Sequence, residues 1–231
     1  MLDSDSIRRL ALEVGFDDAG CAAARRLDSD ARFMDEWVDA GLAGEMSYLE
    51  RNRDLRYDIR LLVPEAKTVV VCLLSYAKSG RDYHRAVKSK LYELKQRMAD
   101  AYGSDIFHPE KQHIFCDSAP VLERRWAVEA GLGFIGRNHQ FIHPILGSLV
   151  HPGELVLQVS VAGARSAEPV SSPADITSPA YPGCGDCHRC IDSCPRQALG
   201  QSEWDARRCI AYETHKCIIC QQNCPYNEKL F

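Results

Sequence analysis

The sequence predicts an α+β protein in which a mixed N-terminal domain precedes a small module rich in cysteine. A continuous apolar and β-branched run, Thr68 to Tyr76, is typical of a buried central strand. Amphipathic helical patterns lie before and after this run without a strict strand–helix alternation, which favours α+β over a doubly wound parallel sheet. Eight of the eleven cysteines fall between Cys184 and Cys224, so the C-terminal module has a composition of its own.

The individual elements follow from the spacing of apolar residues and from capping signals. The first helix has Asp3 or Ser4 as its N-cap and Gly15 just past its end, and the fourth opens at Pro120 and is closed by Gly131. The predicted helices cover 5–14, 30–40, 83–102 and 121–130. The predicted strands cover 68–76, 113–116 and 154–162.

A stretch rich in proline and serine, residues 163–183, separates the two parts of the chain. Its few large apolar residues and many turn formers are typical of a linker. We therefore predict an N-terminal domain over 1–165, a linker over 166–178 and the cysteine module over 179–231.

Composition and charge limit the classes of function. A net charge of −4 with 26% charged residues gives no general attraction to nucleic acid or membranes. Contact with a polyanion would need a local basic patch, such as the four arginines between Arg51 and Arg60. Asp3 and Asp5 stand where a secretory signal needs positive charge, and no apolar run is long enough to span a membrane, so we expect a cytoplasmic protein without membrane contact.

The cysteine spacing indicates metal binding rather than disulfide bonding. The first run reads C-x2-C-x2-C-x3-C-P and consists of Cys184, Cys187, Cys190, Cys194 and Pro195. This is the ligand run of bacterial ferredoxins, in which three thiolates hold one [4Fe-4S] cluster and the fourth binds a second cluster. Ligation needs reduced thiols, in agreement with a cytoplasmic location.

A shorter second run completes the ligands for two [4Fe-4S] clusters in a ferredoxin-like module. It consists of Cys217, Cys220, Cys224 and Pro225, and Cys209 supplies the thiolate that this run lacks. The expected ligands of one cluster are Cys184, Cys187, Cys190 and Cys224. Those of the other are Cys194, Cys209, Cys217 and Cys220. Zinc is the alternative, but zinc sites rarely use the longer run.

Gly131-Leu-Gly133-Phe-Ile-Gly136 matches the dinucleotide-binding pattern G-x-G-x-x-G, and Glu154 lies 18 residues beyond it. That pattern must follow a strand and open a helix, whereas here it follows the predicted helix 121–130. The context therefore argues against a dinucleotide site.

Several separate motifs give the chain a resemblance to a known family over nearly its whole length. The motifs are FCDSAPVLERRWAVEAGLGFIGRN at 115–138, DYH at 82–84, Arg56 before LLVP at 61–64, GS at 147–148 before GE at 153–154, and the run from Cys217 to Asn227. With these motifs the sequence resembles the epoxyqueuosine reductases, cobalamin-dependent iron–sulfur enzymes distantly related to reductive dehalogenases.

The resemblance implies an oxidoreductase that removes the epoxide oxygen of epoxyqueuosine in tRNA. Two [4Fe-4S] clusters would pass electrons to base-off cobalamin, and Asp117 would protonate the departing oxygen. The residues implied to contact cobalamin, besides Asp117, are Arg56, His84, Phe141 and Pro152. The implied partners are the tRNA anticodon loop and an external electron donor such as a flavodoxin or ferredoxin.

Three of these residues also have a simpler interpretation. Asp117 and Ser118 are suited to cap the helix predicted after Pro120, and Arg56 and His84 to carry exposed surface charge. His143 and His151 are expected to be loop histidines that satisfy local hydrogen bonds. The remaining cysteines are expected to be inert core residues: Cys21, Cys72 and Cys116.

The sequence also departs from the resembled family. It ends seven residues after Cys224, where family members continue into a helical-repeat domain that helps to hold tRNA, so a short form with weaker tRNA binding is expected. Two other functions therefore remain open. One is a related cobalamin-dependent reductase of a small molecule, and the other is an iron–sulfur electron carrier without cobalamin.

Overall fold

The computed structural model describes residues 2–80, 82–103, 106–166, 183–200 and 203–230. The α-helices are α1 (Ser4–Val14), α2 (Asp28–Asp39), α3 (Arg53–Tyr57), α4 (Ile59–Leu62), α5 (Tyr76–Ser79), α6 (Tyr83–Tyr102), α7 (Glu123–Glu129), α8 (Arg189–Asp192), α9 (Ile210–Thr214) and α10 (Ile219–Gln222). The strands are β1 (Asp18–Ala23), β2 (Thr68–Ser75), β3 (His113–Phe115), β4 (Phe134–Ile135), β5 (Phe141–Ile142) and β6 (Val150–Leu157). In the described residues no helix is both long and apolar enough to cross a membrane.

The chain divides into two compact units. The first, here called the sheet unit, comprises Met1–Arg26, Asp54–Leu132 and Val150–Val170. The second, the cysteine unit, comprises Leu27–Arg53, Gly133–Leu149 and Ser171–Phe231. Two segments that the sequence suggested for the N-terminal domain thus group with the cysteines. Most of the predicted linker lies outside the described residues, so the boundaries at 165 and 178 stay a prediction.

The sheet unit is built on one antiparallel sheet with the strand order β1-β2-β6-β3. The predicted central strand is confirmed, since β2 pairs on both sides and its residues up to Leu74 are buried. Because every pairing is antiparallel, the predicted α+β class is confirmed as well.

Helices α1 and α6 cover one face of this sheet. Helix α1 is capped by Asp3, whose carboxylate accepts the Ser6 N–H at 2.9 Å, and it ends at Gly15 with φ 96°. Helix α6 has the predicted bounds and buries four side chains in the main core: Val87, Leu91, Leu94 and Met98. Each such side chain stabilises the fold by about 1.5–3 kcal/mol.

Two predicted elements of the sheet unit begin two or more residues from their predicted start. Helix α7 begins at Glu123, with Leu122 as its N-cap, so the prediction that Pro120 is its first residue is wrong. The last strand runs over Val150–Leu157 instead of 154–162. Its start was hidden by Pro152 and by Gly153, which is packed so closely that a Cβ would lie 2.4 Å from Val87 Cγ1.

Strand β1 was not predicted from the sequence. Its residues, Asp-Ala-Gly-Cys-Ala-Ala, have low β propensity. Small side chains are needed here because the C-terminal end of α7 packs closely against β1. A Cβ on Gly20 would lie 2.5 Å from the carbonyl oxygen of Ala130. Tertiary packing therefore decides the conformation of this segment.

The cysteine unit has short helices and one two-stranded hairpin, β4–β5. Helix α2 begins two residues before its predicted start, and its Trp37 stacks on Trp204 with ring centroids 5.5 Å apart. With so little regular structure, cluster ligation is expected to supply much of the folding energy of the cysteine segment.

Candidate active site and metal centres

Asp117 lies in the loop between β3 and α7, at the edge of the sheet unit. Its backbone has a left-handed φ of 48°, which is unusual for a residue other than glycine. The side chain is 63% exposed. The Tyr83 hydroxyl donates a hydrogen bond to the Asp117 carboxylate, and His84 Nε2 lies 3.6 Å from the same oxygen. An exposed carboxyl is thus held by two side chains from the start of α6.

The interpretation of Asp117 as a helix cap is wrong. Helix α7 starts six residues later, and its N-cap Leu122 makes no side-chain capping bond. The backbone N–H of Asp117 instead donates to the carboxylate of Glu123. Glu123 therefore holds the strained loop in place and leaves the Asp117 carboxyl directed away from the helix end.

Stacked aromatic rings border this carboxyl. His151 lies between Tyr76 and Tyr83, with ring centroids 4.1 and 3.9 Å away, and Tyr83 also stacks on His84 at 3.9 Å. Burial, together with the nearby His84, lowers the pKa of His151 to about 4, so its ring is neutral at neutral pH. Burial and the hydrogen bond to Asp117 raise the pKa of Tyr83, which therefore stays a hydrogen-bond donor.

Two further carboxyl groups lie behind Asp117. Burial raises the pKa of Glu123 to about 7, and repulsion from Asp117 acts in the same direction. Glu154, in β6 opposite Phe115, is completely buried, and neither carboxyl oxygen has a hydrogen-bond partner among the described residues. Burial raises its pKa well above the usual value, followed by repulsion from Glu123 and Asp117. Burial therefore favours the uncharged form of Glu154.

The sheet unit contains four of the five residues implied to contact cobalamin. His84 and Asp117 are neighbours, and Arg56 is half-buried and close enough to Glu123 to lower its pKa. Pro152 lies in β6 beside His151. Phe141, in β5, belongs to the cysteine unit, so its part in a common site stays a prediction.

Sequence reasoning missed the side chains that surround Asp117. Tyr83 and Glu123 stood inside quoted motifs, but only the fold shows that they meet at Asp117. The interpretation of His151 as a loop residue is wrong, because it lies in β6 and stacks on two tyrosines. A strand that starts at Val150 would have placed His151 and Glu154 in the sheet, but Pro152 hid its start.

Four cysteines from both ligand runs line one cavity in the cysteine unit. These are Cys184, Cys187, Cys190 and Cys224, and the cavity has a volume of about 260 Å³. Such a volume is several times that of a water molecule and suits a cluster better than a single ion. The cysteines from opposite ends of the module thus meet in the combination expected for the first cluster.

The other four ligand cysteines also lie close together. Cys209, Cys217 and Cys194 each act electrostatically on the Cys220 thiol. Cys194 Sγ accepts a hydrogen bond from the Ala198 N–H at 3.3 Å. Within the described residues, no three Cys, His, Asp or Glu side chains are arranged to hold a single metal ion.

The three remaining cysteines are buried in the sheet unit, as expected. Burial raises the pKa of Cys21 to about 11, that of Cys116 to about 12 and that of Cys72 well above its usual value. These thiols are protonated at neutral pH, in keeping with inert core residues.

The known proteins to which the chain is similar agree with one another. Residues 183–217 match the family model of the 4Fe-4S double cluster binding domain. The chain is 33% identical to an epoxyqueuosine reductase of Leadbetterella byssophila, over 97% of this chain and 80% of that protein. It is 30% identical to an epoxyqueuosine reductase of Cellulophaga algicola, over 97% and 79%.

Solved structures show the same fold. The structure of an epoxyqueuosine reductase from Streptococcus thermophilus superposes with a TM-score of 0.81 at 24% identity, over 96% of this chain and 65% of that chain. An epoxyqueuosine reductase solved with an epoxyqueuosine-modified tRNA stem loop gives 0.79 at 23%, over 97% and 65%. A reductive dehalogenase whose structure suggests a mechanism for B12-dependent dehalogenation gives 0.52 at 16%, over 96% and 32%.

Proposed function

Because the chain belongs to the epoxyqueuosine reductase family, we propose that it reduces epoxyqueuosine to queuosine in tRNA. The observation that carries this proposal is the Asp117 carboxyl, exposed beside stacked rings and held by Tyr83 and His84. Loss of the epoxide oxygen as water consumes electrons and protons in equal number. The reaction therefore needs a proton donor at the substrate and a path for single electrons.

Cobalamin is the proposed resident cofactor of the sheet unit, and when bound it would supply a strongly reducing metal next to the epoxide. The stacked rings of Tyr76, His151 and Tyr83 fit this role, since they form an aromatic wall beside the Asp117 carboxyl. The residues proposed to hold the cofactor are Arg56, His84, Asp117, Phe141 and Pro152.

Asp117 is the proposed acid that gives a proton to the departing epoxide oxygen. Tyr83 orients its carboxyl through the hydroxyl hydrogen bond, and Glu123 fixes its backbone. Burial raises the pKa of Glu123 to about 7 and that of Glu154 well above its usual value, so both hold a proton near Asp117 more readily than exposed carboxyls do. The protein thus supplies proton transfer and positioning.

The two clusters are the proposed electron path. The cavity supports Cys184, Cys187, Cys190 and Cys224 as ligands of one cluster. The proximity of Cys194, Cys209 and Cys217 to Cys220 supports these four as ligands of the second. All four cysteines of the second set are partly exposed, whereas Cys190 and Cys224 are buried. Electrons from an external donor are therefore proposed to enter at the second cluster.

The proposed donor is an acidic single-electron carrier such as a flavodoxin or ferredoxin. Exposed cations flank the second set of cysteines, Arg208 next to Cys209 and Lys216 next to Cys217. An acidic partner would be attracted to such a surface. Reduced, unpaired ligand thiols also support a cytoplasmic location.

The proposed RNA substrate is the anticodon stem loop, since a family member has been solved with a modified stem loop. The basic stretch noted in the sequence offers limited support. Arg53 pairs with Asp35 and Asp39, and Arg60 pairs with Asp58. Since these ion pairs offset part of the positive charge, we expect weak, salt-sensitive binding of tRNA.

The test is anaerobic turnover of an anticodon stem loop that carries epoxyqueuosine, with the protein reconstituted with iron, sulfide and cobalamin. Wild type should convert the nucleoside to queuosine, and Asp117→Asn should lose nearly all activity while keeping both cofactors. Full activity in Asp117→Asn would overturn the role of the acid. Reduction of small molecules without any action on the stem loop would instead favour the alternative reductase.

A further inference from the structure

We infer that Arg137, presented by the β4–β5 hairpin, raises the reduction potential of the cluster held by Cys184, Cys187, Cys190 and Cys224. The inference rests on the proposed clusters and adds a tuning residue to them. It also explains the glycine pattern between Gly131 and Gly136, for which a dinucleotide site was rejected.

The glycines allow the hairpin to close tightly. A Cβ on Gly133 would lie 2.1 Å from the carbonyl oxygen of Ile142, and one on Gly136 would lie 2.4 Å from Ile142 Cδ1. Gly133 therefore excludes any side chain, because the clash is with the backbone, whereas a side chain at Gly136 would force the Ile142 side chain to move. The hairpin in turn packs on a ligand, since Phe134 and Ile142 share an apolar cluster with Cys224.

This hairpin brings Arg137 to the first set of cysteines through two contacts. Its backbone N–H donates to Cys184 Sγ at 3.4 Å, and its Nη2 donates to the carbonyl oxygen of Gly185 at 3.0 Å. Arg137 also lines the cysteine cavity. The guanidinium is thus tied to the ligand loop and cannot move freely into solvent.

Two buried donors on the cavity wall point to an anionic occupant. Arg137 Nε and Asn138 Nδ2 are buried and have no hydrogen-bond partner among the described residues. Both residues line the same cavity. A buried donor without a partner is costly, and the sulfides and thiolates of a cluster are acceptors that would satisfy it. The cavity therefore suits a negatively charged cluster in particular.

The electrostatic effect has a definite sign. Reduction adds one negative charge to a cluster, and burial of Cys190 and Cys224 opposes that charge. A fixed cation and N–H donors favour it and so raise the potential. The cations next to the second set, Arg208 and Lys216, are exposed, so water and salt screen them.

The consequence is a direction for electron flow. An electron that enters at the second cluster gains stability on the first cluster, because a half-buried arginine is tied to the ligand loop of the first. Arg137 therefore acts as a tuning residue and not as a ligand.

The test is an anaerobic redox titration of the reconstituted full chain, followed by EPR, on wild type, Arg137→Gln and Arg137→Lys. The measurement is made at the potential where the first cluster of wild type is half reduced. There, the ratio of reduced to oxidised first cluster should be about tenfold lower in Arg137→Gln than in wild type. This corresponds to a reduction potential lower by about 59 mV for one electron. The other cluster should be unchanged and serves as the internal control. Arg137→Lys, which keeps the charge, should stay within about twofold of wild type.

Unchanged ratios for both clusters in Arg137→Gln would overturn the inference. If Arg137→Gln fails to assemble the first cluster, Arg137→Lys decides: a wild-type titration supports the need for a cation, and loss of the cluster in this variant too contradicts it. Failure of the wild type to bind two clusters would instead contradict the proposed function, so the two failures are distinguishable by iron content.

Discussion

The Tyr83 hydroxyl donates to the Asp117 carboxylate across 34 positions of sequence. Tyr83 begins the long helix α6, and Asp117 follows the edge strand β3. The bond exists because α6 packs over the sheet and brings its first turn to the strand end. The hydrogen bond thus joins α6, whose bounds were predicted from the sequence, to the loop after β3, whose contacts were not.

The Tyr83 hydroxyl should matter for catalysis more than for stability. Tyr83→Phe keeps the stacking on His151 but removes the hydrogen bond to Asp117. We expect kcat/KM to fall about tenfold, or about 1.4 kcal/mol, which is within the range of a single hydrogen bond. Steady-state kinetics on the stem loop measures this, and Tyr92→Phe, at an exposed position of the same helix, is the control. Equal activity of the two variants would contradict the positioning role.

Glu123 should set an alkaline limit to activity. Its pKa is raised to about 7, so it carries a proton below that pH and loses it above. We expect kcat/KM of wild type to fall above about pH 7, and Glu123→Gln, which still accepts the Asp117 N–H, to lack this fall. The pH profiles of both proteins provide the measurement, with Glu110→Gln at an exposed position as control. An identical alkaline limb in Glu123→Gln would show that another group titrates.

Glu154 should make the protein less stable as pH rises. Its folded pKa lies well above the unfolded value of about 4.3, so the folded state binds more protons between these values and the free energy of unfolding falls with increasing pH. Glu154→Gln cannot ionise. Its stability relative to wild type should therefore grow by up to about 1.4 kcal/mol per pH unit above pH 5.

Urea unfolding of the reconstituted protein between pH 5 and 7.5, followed by far-UV circular dichroism, measures this difference. Glu123 and Cys116 lie near Glu154 and are common to both proteins, so their own titration largely cancels in the comparison. A stability difference that stays constant with pH would mean that Glu154 does not carry a raised pKa.

The two proposed ligand sets predict which cysteine variants should have the same EPR signal and iron content. Cys187→Ser and Cys224→Ser come from different runs but should impair the same cluster and leave the same EPR signal from the other. Cys194→Ser should pair with Cys217→Ser in the same way. Each variant should lose about half of the iron of wild type. If Cys187→Ser instead resembled Cys194→Ser, the two runs would hold separate clusters.

The sequence predicts most reliably where a local pattern and the tertiary structure agree. Helix α6 has the predicted bounds because its apolar spacing, its Asp82 cap and Gly103 all favour the same helix. Strand β1 was missed because its small residues are chosen by the close approach of α7 at Gly20 and not by β propensity.

The same limit applies to the candidate site. Cysteine spacing alone predicted which thiols share the cavity, because the ferredoxin run is a local signal with a fixed geometry. The surroundings of Asp117 depend on contacts between distant segments, and neither the stacking of His151 nor the burial of Glu154 has a local signature. Pro152 further disguised the strand that carries both residues.

The central claim is that the sheet unit holds cobalamin beside Asp117 and receives electrons from the two clusters. EPR of the reconstituted protein after anaerobic addition of cobalamin and a limiting amount of reductant tests it most directly. The account predicts a base-off Co(II) signal in wild type that persists in Asp117→Asn, together with the signals of reduced clusters. Cluster signals without any bound cobalamin would contradict the account and leave an iron–sulfur electron carrier.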